Sequence, residues 1–302
     1  MGKSVGWMST IMIIVAACCW GCMGIMVRTL NAIGLSTMEI VQQRSTVTFA
    51  IMIMGALLIN RKAFVVKVKD LWYFVGTGIC SIVFFNYCYF RTIEETSLSV
   101  AAILLYTSPF FVSIMSSILF HEKITTKKVI CMGVAFAGCV LVSGAMTGQM
   151  VLSSRGIIIG LGAGFGYALY SIFGKYATER GYSSVTITLY TFLFATIGGL
   201  PFVNIKNIYN VFMLQPESIL VSVLLIIITT VIPYLCYTYG LSGTMPGVAA
   251  ILATIEPVAA TMVGVFIYGE IPNAMTIIGI ICVICAILIA NRNIVQRKIQ
   301  KK

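Results

Sequence analysis

Ten times along this chain, apolar residues run on for about 20 positions, the length at which a helix crosses a hydrocarbon core of about 30 Å. The runs cover residues 9–27, 37–59, 71–91, 98–119, 129–145, 156–175, 183–203, 217–240, 247–268 and 274–290. A backbone in lipid must satisfy its own polar groups, which a helix does within itself. The expected fold is therefore an all-α polytopic membrane protein with ten transmembrane helices. The segments between the runs are short and leave no room for a soluble domain.

Composition agrees. Of 302 residues, 59% are hydrophobic and only 10% charged, and mean hydropathy is +1.01, whereas charged residues make up about a quarter of a soluble domain. The net charge of +11 would suggest a nucleic-acid partner in a soluble protein. Here the basic residues lie between apolar runs, so they read as orientation signals in a lipid bilayer, and no nucleic acid is expected.

Placing the N-terminus in the cytoplasm puts fifteen of the twenty basic residues on the inner side. They are Lys3; Arg61, Lys62, Lys67 and Lys69; Lys123, Lys127 and Lys128; Lys175 and Arg180; and Arg292, Arg297, Lys298, Lys301 and Lys302. Arg28, Arg91, Arg155 and Lys206 fall outside or at outer helix ends, and Arg44 lies inside the second run. Both termini are thus expected in the cytoplasm of a cell bounded by its inner or plasma membrane. Lys3 followed by an apolar run, with "VAAC" at 15–18, loosely resembles a cleaved signal. Against this, "ACCWGCMGIMVR" at 17–28 aligns with "GFGYALYSIFGK" at 164–175, and a discarded leader would have no counterpart within the mature fold.

That alignment belongs to a longer repeat. "VAAILLYTSPFFVSIMSSILFHE" at 100–122 and "VAAILATIEPVAATMVGVFIYGE" at 248–270 stand 148 residues apart, with Pro109 on Pro257 and Glu122 on Glu270. The fixed Pro and Glu carry the signal, since any two membrane helices share Val, Ala, Ile and Leu. The halves are 1–145 and 156–290, followed by a basic cytoplasmic tail at 291–302. Five spans per half is an odd number, so the second half enters the membrane from the opposite side. Inverted repeats of this kind build secondary transporters, with the site near the midplane between them.

The two halves, the "WG" of the first run, the prolines of the fourth and ninth runs and the Glu after each resemble the drug/metabolite transporter superfamily, in its EamA-like branch. "EPVAATMVGVFIYGE" at 256–270 is the most specific stretch. Two positions depart from the pattern: Ser108 stands opposite Glu256, and His121 opposite Gly269. The resemblance implies export or uptake of small metabolites, amino acids or drugs without naming a substrate. It slightly favours export, by rocking of the halves about a central cavity. The alternatives are a multidrug exporter driven by proton exchange at Glu256 and, from another class, a membrane-embedded enzyme. The enzyme reading has little support, because no nucleophile–base constellation is recognisable.

Candidate site residues follow from cost. Proline within a membrane helix frees a carbonyl one turn earlier, so Pro109 and Pro257 mark bends, read either as packing kinks or as gating hinges. An ionised carboxylate at bilayer depth costs about 2.5–3.5 kcal/mol. Glu256 should therefore face the interior, where it binds a cationic group or carries a proton, or else satisfies the bend structurally. Arg44, seven residues into its run, is about 10 Å from the interface at 1.5 Å per residue. That distance makes snorkelling awkward and favours binding a substrate carboxylate or neutralising Glu256. Trp20, Tyr87, Tyr167, Tyr170, Tyr234 and Tyr237, with Asn86, complete the expected substrate site, and Tyr89, Tyr106 and Tyr190 also lie on spans expected to face the centre. Asn86 and Tyr234 occupy equivalent repeat positions. Interfacial belting or packing competes for many of these rings.

Glu122 and Glu270 read as organisers of helix ends. The pairs in "CWGC" at 19–22 and "CVIC" at 282–285 lie inside apolar runs without His or acidic partners, so they read as small apolar residues and no metal is expected. One histidine, His121, cannot build a metal cluster. No phosphate loop of the Walker type is present, and no cofactor is expected. "GIIIGLGAGFG" at 156–166 spaces small residues one turn apart, which allows close helix approach.

Overall fold

The computed structural model describes residues 2–144 and 153–299, with side chains described for 7–144 and 153–290. The expected end of the fifth run at 145, and tail residues 300–302, lie outside the described residues. The side chains of Lys3 and of the basic tail lie outside them too. The described chain is helical, without strands. We label its segments α1 (Trp7–Ala32), α2 (Thr37–Ile59), α3 (Val68–Glu95), α4 (Leu98–Leu119), α5 (Thr126–Val142), α6 (Ser154–Glu179), α7 (Ser184–Phe202), α8 (Ile205–Leu214), α9 (Glu217–Gly243), α10 (Pro246–Tyr268) and α11 (Ala274–Ile299).

Eight of these, α1 to α4, α6, α7, α9 and α10, are long and apolar enough to cross a membrane by length and composition. The other two expected spans are helical but shorter. α5 has 17 residues, and at 1.5 Å per residue this is about 26 Å, less than a core of about 30 Å; the apolar part of α11, Ala274–Ala290, is likewise short. The two lie side by side with backbones touching. A Cβ on Gly138 would stand 2.8 Å from the Gly279 carbonyl, and one on Gly279 would stand 2.7 Å from the Gly138 carbonyl.

The sequence repeat is also a repeat of helix breaks. α4 consists of Leu98–Leu105 and Ser108–Leu119, and α10 of Pro246–Ala253 and Glu256–Tyr268, so both stop and restart at positions 148 residues apart. Within α3, a π-helical stretch ends at Val83 and α-helix resumes at Phe84; within α9, the same change falls between Val231 and Ile232, again 148 residues on. After α4 and α10 the chain turns through a left-handed residue, His121 (φ 52°) or Gly269 (φ 67°). The next N–H bonds six residues back in each case: Glu122 to the Ser116 carbonyl at 3.2 Å, and Glu270 to the Gly264 carbonyl at 3.1 Å. This is the usual left-handed close of a helix. Glycine adopts it freely, and histidine is among the few other types found there.

Polarity is arranged for lipid outside and polar contacts inside. Ile118, Leu220 and Phe266 lie largely exposed, whereas Ser45, Thr48, Thr188, Thr191, Thr230 and Thr238 are buried. Some of these hydroxyls bond their own helix, as Ser45 does with the Val41 carbonyl at 2.8 Å. Others bond across helices, as Thr77 does with Thr191 at 2.6 Å.

Candidate functional site

α1, α3, α6, α7 and α9 bring aromatic rings together in the middle of the bundle. Trp20 packs against Tyr237 (centroids 5.2 Å apart), Tyr234 (5.4 Å) and Tyr167 (6.3 Å). Tyr170 lies edge-on to Tyr234 at 5.1 Å, Phe192 closes on Tyr234 at 4.9 Å, and Phe85 meets Tyr167 at 5.3 Å. Rings in such tilted contacts present faces and edges with opposite electrostatic character. Their hydroxyls are fixed by hydrogen bonds, Tyr170 with Thr238 at 2.7 Å and Tyr237 with Ser171 at 2.8 Å. The space among them is about 20 Å³, little more than room for one water, and is lined by Trp20, Ser81, Phe85, Tyr167, Tyr170 and Tyr234 among others.

Tyr167 also borders a second space of about 20 Å³, where the breaks of α4 and α10 meet. Tyr106, Ser108 and Pro109 line it from one helix, Thr254 and Glu256 from the other. The half-buried Glu256 carboxylate accepts a bond from the Tyr167 hydroxyl at 3.2 Å. The two departures from helix are short turns, at Tyr106–Thr107 and Thr254–Ile255, and each proline occupies the first turn of the helix that follows. There its missing N–H costs nothing. Threonine hydroxyls take up freed carbonyls: Thr107 donates to Leu104 at 2.5 Å and Thr254 to Ile251 at 2.7 Å. α6 fits against the first break because Gly164 has no side chain; a Cβ there would stand 2.6 Å from the Thr107 hydroxyl and 2.7 Å from the Leu104 carbonyl.

Arg44 is buried on α2. One guanidinium nitrogen donates to the Met23 sulfur at 3.2 Å, and its Nε has no partner. No carboxylate lies within 4.0 Å of it among the described residues, so it does not pair with Glu256. Met23 packs on the aromatic cluster, and the guanidinium lies within electrostatic range of the Tyr234 hydroxyl.

Two expected site residues stand apart from this group. Tyr87 is 40% exposed and packs on Phe202. Two residues beyond Phe85 on a helix of 3.6 residues per turn, it points to the opposite face. Asn86 is buried, but its amide donates to the Ile82 carbonyl of its own helix at 2.7 Å. Equivalence in the repeat thus does not make it a cavity partner of Tyr234, because a short amide is satisfied locally. Among the other aromatics, Tyr106 borders the second space. Tyr89 packs at a tilt on Phe85, and Tyr190 donates to the Phe64 carbonyl.

The sequence reading did not pick out Ser81, Phe85, Ser171, Phe192 or Thr238. Helical phase offered a signal for two of them: Ser171 lies one turn after Tyr167, and Phe85 one turn before Tyr89.

Glu122 and Glu270 close the ends of α4 and α10. The buried Glu122 makes an ion pair with Lys128 at 3.0 Å. It also accepts bonds from the Ser116 hydroxyl at 2.6 Å and the Gly247 N–H at 3.0 Å, tying the end of α4 to the start of α10. Glu270 instead makes an exposed pair with Arg28 at 3.4 Å. The cysteines are free, and the described residues contain no cluster of three or more His, Cys, Asp or Glu able to hold a metal.

Membrane-length helices in two repeated halves, closed around an aromatic chamber with separated charges, define a polytopic helical membrane protein of the transporter class. The chain belongs to the EamA-like transporter family, whose model matches it twice, at residues 7–144 and 154–292. It is similar to an uncharacterized transporter of Archaeoglobus fulgidus, 29% identical over 204 residues, covering 68% of this chain and 71% of the relative. The uncharacterized transporter YwfM of Bacillus subtilis is 23% identical over 202 residues, 67% of each chain. A solved crystal structure aligns with a TM-score of 0.74 at 16% identity, covering 93% of this chain and 96% of its own, a likeness of fold.

Proposed function

We propose that this protein is a secondary transporter that exports a small organic metabolite, an amino acid or related solute, through alternating access between two inverted five-helix halves, 1–145 and 156–290. On this reading α5 and α11 complete ten spans, and the basic tail at 291–302 and both termini lie in the cytoplasm, at the inner or plasma membrane. The single observation that carries it is a pair of opposite charges without an ion pair between them: Arg44, joined to the aromatic cluster through Met23, and Glu256, which lines the adjoining space and binds Tyr167. An unpaired charge at bilayer depth is costly. A solute bearing both a cationic and an anionic group would neutralise both, while Trp20 and the tyrosines cover its apolar part. The breaks at Pro109 and Pro257 would serve as hinges, since a helix already interrupted there opens without breaking further backbone bonds.

Flux tests this reading. Vesicles containing the purified protein are loaded with a panel of labelled metabolites, and efflux is followed along with the chemical identity of what emerges. A transporter releases an unmodified solute faster than empty vesicles do. Chemical conversion of the solute, or no solute of the panel moved, would sink the proposal. Reporter fusions in the 92–97 and 204–216 segments and at Lys302 test the topology, with both segments expected outside and Lys302 inside.

The Tyr167–Glu256 hydrogen bond supports a second reading, in which Glu256 exchanges a proton as the substrate moves, making the protein a proton-coupled multidrug exporter. Transport that responds to an imposed proton gradient, over a broad range of cationic solutes, would favour it.

A further inference from the structure

Away from the aromatic chamber, at the end of the bundle where the α2–α3 and α6–α7 connections meet, lies an open cavity of about 360 Å³. Lys62, Lys67 and Arg180 line it, and Asp70 is the acid among its lining residues. Asp70 is already committed: it is buried, and its Oδ2 accepts a bond from the Tyr182 hydroxyl at 2.7 Å. Burial, together with that bond, holds the Tyr182 phenol above its ordinary range, so it stays a neutral donor and adds no negative charge.

The wall is built from both halves. The Lys67 N–H donates to the Tyr182 oxygen at 3.2 Å, and Arg180 Nε donates to the Tyr73 hydroxyl at 3.2 Å, which anchors the guanidinium at the rim. Neither Lys62 nor Lys67 has a carboxylate within 4.0 Å among the described residues. The 16-residue helix Ser184–Gly199 begins at the same cavity, with Ser183 and Thr186 in its lining, so the positive end of its dipole adds to the three cations.

We propose that this cavity is a binding site for a phosphate group, held by Lys62, Lys67 and Arg180 and bridging the two halves of the protein. Three cations around one committed carboxylate leave net positive charge in a space large enough for a phosphate ester. The position between helix ends suits the headgroup of an anionic phospholipid as well as a soluble phosphate compound. A ligand held there would contact the α2–α3 and α6–α7 connections together and so favour the arrangement that closes this end.

The experiment follows thermal unfolding of the full-length protein in neutral detergent. Short-chain phosphatidylglycerol or inorganic phosphate is titrated, with short-chain phosphatidylcholine as the uncharged control. The expected result is a saturable rise in unfolding temperature with an anionic ligand and none with the control. Saturation with phosphatidylglycerol alone assigns a lipid source, and saturation with inorganic phosphate assigns a soluble one. The double variant Lys62→Gln/Lys67→Gln should keep the unliganded unfolding temperature and bind at least about 10-fold more weakly. The exposed pair Lys123→Gln/Lys127→Gln, which is not part of the cavity lining, should bind as wild type. If the first double variant is itself less stable, Arg180→Gln supplies the same reading of weakened binding. The proposal is overturned if neither anionic ligand gives a saturable rise, or if wild-type affinity persists in these cavity variants.

Discussion

Arg44→Met separates a binding role from a structural one. The native guanidinium is buried, with a methionine sulfur at 3.2 Å as its hydrogen-bond acceptor and its Nε unpaired. A buried polar group without a partner costs about 1–3 kcal/mol, and more when charged. Methionine has similar length and suits the neighbouring Met23, so the substitution removes that cost and leaves no matching carboxylate stranded. The folded protein should gain about 1–3 kcal/mol, and at roughly 2–4 °C per kcal/mol its unfolding temperature should rise by several degrees. Transport should move the other way. Losing one partner of a buried, hydrogen-bonded charge pair costs about 2–5 kcal/mol, so affinity for a solute with an anionic group should fall between about 30-fold and several thousand-fold. Arg44→Lys should recover part of the loss, since it keeps the charge without the bidentate fork. The assay is thermal unfolding beside efflux per folded molecule. A lower unfolding temperature for Arg44→Met with unchanged efflux would refute the argument and make Arg44 a packing element.

Three further outcomes are expected. Glu256→Gln keeps the volume and the acceptor for Tyr167, so the protein should remain folded while efflux loses its pH response or its preference for cationic solutes; an unchanged pH profile per folded molecule would remove Glu256 from the site. Glu122→Gln strands Lys128 in a buried position and should destabilise by about 3–5 kcal/mol, seen as lost abundance, whereas Glu122→Gln/Lys128→Met should recover much of it. Gly164→Val places a side chain against the Leu104 carbonyl and Thr107 and should cost about 1–3 kcal/mol in unfolding measurements, with Gly164→Ala milder.

Much of the fold was legible because it depends on local pattern. A run of apolar residues reports burial in lipid regardless of its neighbours, and Pro109 and Pro257 act on the backbone within one turn of themselves. The paired breaks of α4 and α10 follow from these local signals, whereas the π-helical stretches of α3 and α9 and the left-handed turn shared by His121 and Gly269 appeared only in the structure. The count of spans was less secure, since the runs at 129–145 and 274–290 are the short ones in the sequence and α5 and the apolar part of α11 are no longer.

The site was legible only in part. Trp20, Tyr167, Tyr170, Tyr234 and Tyr237 do converge, but Tyr87 and Asn86 share their residue types and depth and do not. The sequence by itself determined that the chain is a helical membrane protein with a duplicated half, that two helices are interrupted at equivalent points, and that a few charges must be hidden from lipid. Only the tertiary structure decided which partner each hidden group finds. Glu256 meets Tyr167 across 89 residues, Glu122 meets Gly247 across 125, and Arg44 meets no acid among the described residues. Periodicity tells which way a side chain faces on its own helix, but the helix that lies opposite is set by packing between segments far apart in the chain, and that packing fixes whether a buried charge is neutralised or left for a ligand.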